Sequence, residues 1–381
     1  MSSTEGKVIT CRAAVCWGPK NLTIEEVQVD IPHSHELRIK VLYNALCHTD
    51  VSVIEGLIDS ALYPAIVGHE CTGVVESIGD GVQGFEIGDH VILTPLPQCK
   101  NCSMCARGDT NFCERTNIAG VTHTTEDGST RFTCKGKKIH HAFGCTAFSE
   151  YTVVRDINLG KINSKAPMEK SCLAGCGLAT GYGAAVNTAQ IKKGETVAIF
   201  GGGCIGLSAV LGAKHSGASE IFLIDINPTK FPYGEKMGAT KFVNPNDCPK
   251  ERQFSEWFKT TYGAVDKAIE AAGNVKCQVQ AVEIVKIGWG RAVILGAPPS
   301  DHKMELSPWE LLNGKTVVGG CVGDYHVCDD LPKLVEKIVT GEINVDPLIT
   351  QKNLELDEIC DAVKLMNEGK CIRAVFKLAR D

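Results

Sequence analysis

Nowhere in the 381 residues do eighteen apolar side chains follow one another, so the sequence offers no helix that spans a bilayer. The opening stretch, MSSTEGKVITCRAAV, lacks both a charged-then-apolar signal pattern and a myristoylation glycine. A basic excess is missing as well. With 39 Lys and Arg against 45 Asp and Glu the formal charge is −6, which argues against nucleic acid and anionic membrane as partners. No internal repeat and no low-complexity segment interrupts the chain. With 44% hydrophobic and 22% charged residues it reads as an ordinary globular protein, too long for one core, so two domains are expected.

Cysteine, by contrast, is plentiful. Nineteen cysteines without a secretory pattern point to metal ligands and free thiols in a reducing cytoplasm, not to disulfides. Cys11, Cys16, Cys134, Cys277, Cys321 and Cys360 have no nearby Cys or His and read as plain core or surface thiols. Cys99, Cys102, Cys105 and Cys113 are different: C-x2-C-x2-C-x7-C lets four thiolates close a tetrahedral shell around one Zn²⁺. A closed shell leaves no open position, so this zinc pins a loop and does no chemistry.

Residues 1 to about 177 read as short strands punctuated by Gly and Pro, such as 36–43, 73–78 and 90–93, hence a mostly β, barrel-like unit. The texture then changes to buried strands at 196–200, 220–225, 265–270, 291–295 and 316–319, separated by helical patterns such as 275–285. That is the mark of a parallel doubly wound sheet. Helices at 329–340 and 356–368 and a strand at 373–378 close the chain. The expected organisation is 1–177 plus 322–381 as one domain, with 178–321 inserted as the other.

Gly201-Gly202-Gly203-Cys204-Ile205-Gly206 is a G-x-G-x-x-G between a buried strand and a helix. Gly201 allows the tight turn, Gly203 lets the backbone approach a pyrophosphate, and Gly206 lets helix and strand pack closely. Asp225 ends the next strand, where its carboxylate can take the ribose hydroxyls and would repel a 2′-phosphate, so NAD is expected over NADP. Lys230, five residues on, could reach the same ribose.

Cys47, in Cys47-His48-Thr49-Asp50, His69, in Gly68-His69-Glu70, and Cys176, between two glycines, lie too far apart for spacing to join them. Together, two thiolates and one imidazole would leave a fourth position open, as catalytic zinc requires.

With these motifs in this order, the chain resembles the zinc-dependent medium-chain alcohol dehydrogenases of the cytosolic dimeric kind over essentially its whole length. The resemblance implies a GroES-like β domain with an inserted Rossmann domain, the active site in the cleft between them, and a homodimer whose Rossmann sheets pair. It implies two zinc ions per subunit and NAD. The catalytic ion would be held by Cys47, His69 and Cys176, with Glu70 close behind and Asp50 on the second nitrogen of His69. Thr49 would bond the substrate oxygen and begin a proton relay, and His48 and Arg373 would meet the cofactor pyrophosphate. Substrates would be alcohols and the matching aldehydes or ketones, interconverted by hydride transfer to NAD.

Three places depart from the pattern. Ser52 stands where many relatives end the relay with histidine, so a slower relay is expected. Pro95 and Ala142 stand where liver-type relatives narrow the channel with aromatic rings; this suggests a pocket for substrates larger than ethanol, unless Phe143 or Tyr325 fills the space. Asn117 stands where glutathione-dependent formaldehyde dehydrogenases carry an arginine, with Arg115 nearby and Asp59 one residue beyond the usual aspartate at Ile58, so that activity is not expected. Two other functions fit the same fold: an enone or carbonyl reductase of specialised metabolism, and a zinc- and dinucleotide-binding protein without catalysis.

Overall fold

The computed structural model describes residues 4, 6–116, 125, 127–299 and 301–379, with backbone alone at 122–123. The chain divides into two compact units, 1–176 with 326–381, and 177–325. No helix among the described residues is long and apolar enough to cross a membrane.

In the first unit the strands, the central ones buried along most of their length, form two mostly antiparallel sheets over one hydrophobic core. One runs 122–123, 140–142, 65–66, Ile9–Gly18, Asn21–Val29, 132–134, 137–138. The other runs 159–161, His90–Leu93, Glu70–Ile78, Glu36–Leu46, Arg373–Lys377, Ile349–Leu354, with Tyr151–Arg155 also on Glu36–Leu46. Glu36–Leu46 is therefore the hub. It pairs with three strands and bulges between Arg38 and Ile39 and between Val41 and Tyr43, which lets one strand serve neighbours at both ends. The helix foreseen from 329 begins at Leu331, behind a proline in its first turn. The one foreseen over 356–368 is a 3₁₀ turn followed by an α-helix at Ile359–Asn367.

The second unit is a six-stranded all-parallel sheet in the order Lys241–Val243, Glu220–Ile224, Thr196–Phe200, Lys267–Glu270, Arg291–Ile294, Thr316–Gly319. Numbered along the chain this is 3-2-1-4-5-6, the doubly wound dinucleotide-binding arrangement. Its central strands are buried on both faces, which explains their unbroken apolar sequences. The expected fold class, a GroES-like β domain carrying an inserted Rossmann domain, is the one found.

Candidate active site

The hub strand delivers Cys47, which caps the helix His48–Ile54. The neighbouring strand sets Glu70 opposite Ala45, so His69 and Glu70 arrive beside Cys47. Cys176 follows a 3₁₀ turn ending at Gly175. A Cβ on Gly175 would sit 2.6 Å from the Leu93 carbonyl oxygen and 3.3 Å from the Glu70 Cα, so only glycine lets the chain come this close. The result is that one ligand atom from each of Cys47, His69, Glu70 and Cys176 lies within 4.8 Å of the others.

Asp50 organises this group. Fully buried, its Oδ1 accepts from His69 Nδ1 at 3.0 Å and from the Gly68 N–H at 2.8 Å, and its Oδ2 accepts from the Cys47 N–H at 3.1 Å. A proton on Nδ1 leaves Nε2 free to ligate a metal and makes it more basic. Burial alone would depress the His69 ring, but the charge and hydrogen bond of Asp50 hold it well above its ordinary value. The Cys47 thiol is held low, first by the Cys176 thiol donating to it, then by Arg373 and His69. Behind them Arg373 bonds both carboxylate oxygens of Glu70, and burial still pushes Glu70 up to about 7. The same guanidinium stands 3.5 Å from Cys47 Sγ, a contact the sequence did not disclose.

His48 and Thr49 are exposed, and Thr49 Oγ1 lies 3.7 Å from Cys47 Sγ. Ser52 donates its hydroxyl to the His48 carbonyl at 2.9 Å. Ala142 is fully covered, so its small side chain opens no space, and that part of the wide-pocket argument is corrected. Pro95 is half-buried. Phe143, at φ 55°, lays its ring 4.7 Å from the His69 ring.

The four-thiol lobe fits zinc equally well. Cys99 and Cys105 sulfurs are 3.9 Å apart, as are those of Cys102 and Cys113; ligands of a tetrahedral zinc–thiolate centre stand roughly 3.8 Å apart. N–H groups of Cys105 and Arg115 donate to these sulfurs at 3.4 Å. The backbone N–H groups of Cys105 and Glu114 bring the Cys102 thiol down to about 6. The lobe is clamped to the C-terminal segment of its unit: Lys100 and Gln98 both bond Asp329 at 2.6 Å, and His326 Nε2 meets the Thr110 carbonyl at 2.9 Å.

In the second unit Gly201 has φ +97°, and a Cβ on Gly206 would fall 1.7 Å from the Gly201 carbonyl oxygen. Gly203 caps the helix Cys204–His215, and a Cβ there would meet nothing within 4 Å. That leaves a glycine turn and a helix N-terminus facing open space, which a pyrophosphate fits. Asp225 Oδ2 accepts from the Gly202 N–H at 2.6 Å, and the Lys230 side chain lies beside Gly202. Cys204 is buried and Ile205 half-buried in the first turn.

Residues 33–164 match the family described as "Alcohol dehydrogenase GroES-like domain", and residues 204–340 the one described as "Zinc-binding dehydrogenase". The chain is 43% identical to the "Alcohol dehydrogenase class-3" of Drosophila melanogaster, over 99% of this chain and 100% of that one. The chain belongs to the zinc-dependent medium-chain alcohol dehydrogenases. It is an NAD-dependent alcohol dehydrogenase with zinc and NAD as cofactors. The dehydrogenase is also 42% identical to the "S-(hydroxymethyl)glutathione dehydrogenase" of Komagataella pastoris, over 99% of this chain and 100% of that one. Among solved structures it resembles a zinc-binding alcohol dehydrogenase domain protein from Burkholderia ambifaria, with TM-score 0.89, 30% identity, 98% of this chain and 100% of that one. It also resembles the benzyl alcohol dehydrogenase of Acinetobacter calcoaceticus, with TM-score 0.88, 27% identity, 97% of this chain and 100% of that one. Of the residues weighed for glutathione, Arg115 and Asp59 are exposed, and Asn117 lies outside the described residues.

Proposed function

We propose that the dehydrogenase oxidises primary alcohols larger than ethanol, and reduces the matching aldehydes, at the site built by Cys47, His69 and Cys176. The observation that carries this reading is the ligand group itself: two thiols and an imidazole gathered within 4.8 Å, with Asp50 locking the ring. Zinc held there supplies a Lewis acid to a hydroxyl oxygen, and NAD accepts the hydride.

The protein's own groups do the rest. Asp50 keeps His69 oriented. The exposed Thr49 hydroxyl accepts the substrate's hydroxyl proton while passing its own to solvent. Ser52 donates a hydrogen bond to the His48 carbonyl and cannot serve as the relay's base, so water carries the proton outward. Gly201, Gly203, Cys204, Ile205 and Gly206 receive the pyrophosphate and Asp225 and Lys230 the ribose; the family resemblance assigns His48 and Arg373 to the pyrophosphate too.

Substrate size is argued from half-buried Pro95 in place of an aromatic ring, and from relatives named for S-(hydroxymethyl)glutathione and benzyl alcohol. Those 42–43% identities favour a second reading, oxidation of the glutathione–formaldehyde adduct, above what Asn117 alone suggested. A steady-state survey decides: NAD-coupled oxidation of ethanol, longer and benzylic alcohols, and formaldehyde with glutathione, each with and without a zinc chelator. Chelator-sensitive kcat/KM rising with alcohol size supports the first reading. Dominant activity with the adduct replaces it with the second, and an ethanol preference refutes both.

A homodimer formed through the Rossmann unit goes with this reading. The edge strand Thr316–Gly319 has one side unpaired among the described residues, and Trp309, Leu311 and Leu312 just before it are 69%, 52% and 71% exposed. A reducing, cytoplasmic setting is inferred from nineteen cysteines without a disulfide.

A further inference from the structure

Asn44 lies on the hub strand, three residues before Cys47, between Cys71 on one neighbouring strand and Phe376 on the other. It is fully buried, and among the described residues neither its Oδ1 nor its Nδ2 has a hydrogen-bond partner. A side-chain amide has two donors and two acceptor lone pairs, and a buried one left wholly unmet is rare. The amide faces the turn that carries the metal ligand: a Cβ on Gly68 would come within 2.9 Å of Asn44 Nδ2.

Gly68 does not answer it directly, although its carbonyl keeps a second lone pair that a water can reach. Its N–H already donates to Asp50 Oδ1 at 2.8 Å, and its carbonyl already accepts from the Ala147 N–H at 3.0 Å. Thr146, the residue before Ala147, is fully buried too, and its Oγ1 also has no partner among the described residues. Unmet groups thus stand on Asn44, beside the Gly68 turn, and on Thr146, next to the residue that bonds Gly68, with nothing among the described residues to join them. A buried water makes about three hydrogen bonds to such otherwise unmet groups.

We propose that Asn44 binds a buried water against the Gly68 turn, and that this makes Asn44 a positioning residue for His69. The link runs through Asp50, because one oxygen, Oδ1, takes both the Gly68 N–H and the His69 ring. A turn that shifts at Gly68 drags the acceptor that fixes the imidazole. Groups bonded directly to a ligating histidine alter metal retention about 10–100-fold, and Asn44, further out, should act at the low end of that range. The inference rests on the reading of Cys47, His69 and Cys176 as the catalytic zinc ligands.

The test uses the zinc-loaded enzyme. A chelator with a coloured zinc complex follows release of both ions, and the four-thiol zinc serves as internal control. Asn44→Leu keeps the size and removes the polar atoms; it should release the catalytic zinc about tenfold faster and leave the other phase unchanged. Asn44→Thr keeps a hydroxyl and should restore most of the difference. A crystal structure of the wild-type enzyme should show ordered water hydrogen-bonded to the Asn44 amide; this arm stands even where Asn44→Leu does not fold. A dry amide, or equal release from wild type and Asn44→Leu, overturns the proposal. A wild-type enzyme that binds a single zinc overturns instead the ligand reading beneath it.

Discussion

Arg373 lays its guanidinium along Glu70, Nε to Oε2 at 3.1 Å and Nη2 to Oε1 at 2.8 Å, with both residues buried. Two parallel charge-assisted bonds of this kind tolerate no loss of one partner. Arg373→Met leaves Glu70 uncompensated in the interior and should cost about 3–5 kcal/mol. Replacing both, as Glu70→Gln with Arg373→Met, should recover a large part. Urea unfolding of the zinc-loaded enzyme measures each. A single variant as stable as wild type would remove the pair from any structural role.

Asp50→Asn preserves size and removes the charge that steers His69. The amide can present either an oxygen or a nitrogen to the ring, so the imidazole loses its fixed tautomer. Retention of the catalytic zinc, or kcat, should fall about 10–100-fold. Zinc content after dialysis, set beside steady-state kinetics, separates the two routes. Unchanged values in both would mean that the ring is held by packing against Phe143 instead.

The two glycines of the phosphate loop should fail differently. At Gly206 a Cβ would overlap the Gly201 carbonyl, so Gly206→Ala should disrupt the helix–strand junction and lower thermal stability. At Gly203 a Cβ meets no protein atom within 4 Å. Gly203→Ala should fold normally and bind NAD more weakly, because the methyl stands where the pyrophosphate would lie. Thermal melts with and without NAD distinguish the cases. A Gly203→Ala enzyme with wild-type NAD affinity would move the pyrophosphate elsewhere.

What was legible in the sequence was local. Thr196–Phe200, the glycine loop and Asp225 follow one another within thirty residues, and each carries its own physical signature. The four-cysteine lobe likewise encodes its closure in its spacing. Cys47, His69 and Cys176 have no such spacing, and only the resemblance joined them. The structure joins them because Gly175 can press against Leu93 and Glu70. The Arg373–Glu70 pair spans 303 positions, beyond any local pattern. The Ala142 argument finds no support for a complementary reason: a small residue widens a pocket only where the space it frees stays open, and Ala142 is covered, with the Phe143 ring close to His69. Asn44 left no signal either, since a polar residue in a strand ordinarily faces water.

His141, which belongs to neither group of candidate metal ligands, gives the fold a pH dependence of its own. Its ring is buried, its Nε2 accepts the Arg131 N–H at 3.1 Å, and Phe132 packs edge-on against it. Burial, reinforced by the charge of Arg131, pushes the imidazole down to about 3, so the folded protein keeps it neutral. Unfolded, the same ring titrates near 6.5. Between those values the unfolded chain binds a proton that the folded one refuses, and stability falls as pH falls. The contribution is whole above about pH 6.5 and is lost progressively towards about pH 3. From pH 7 to pH 5 the loss should be about 2 kcal/mol. His141→Gln retains an acceptor for the Arg131 N–H and does not titrate, so its stability should change less over this range by that amount. Urea unfolding of both proteins at pH 5, 6 and 7 reads the difference directly. Parallel curves would mean that the ring takes up its proton in place, in a more solvated setting than Phe132 and Arg131 provide.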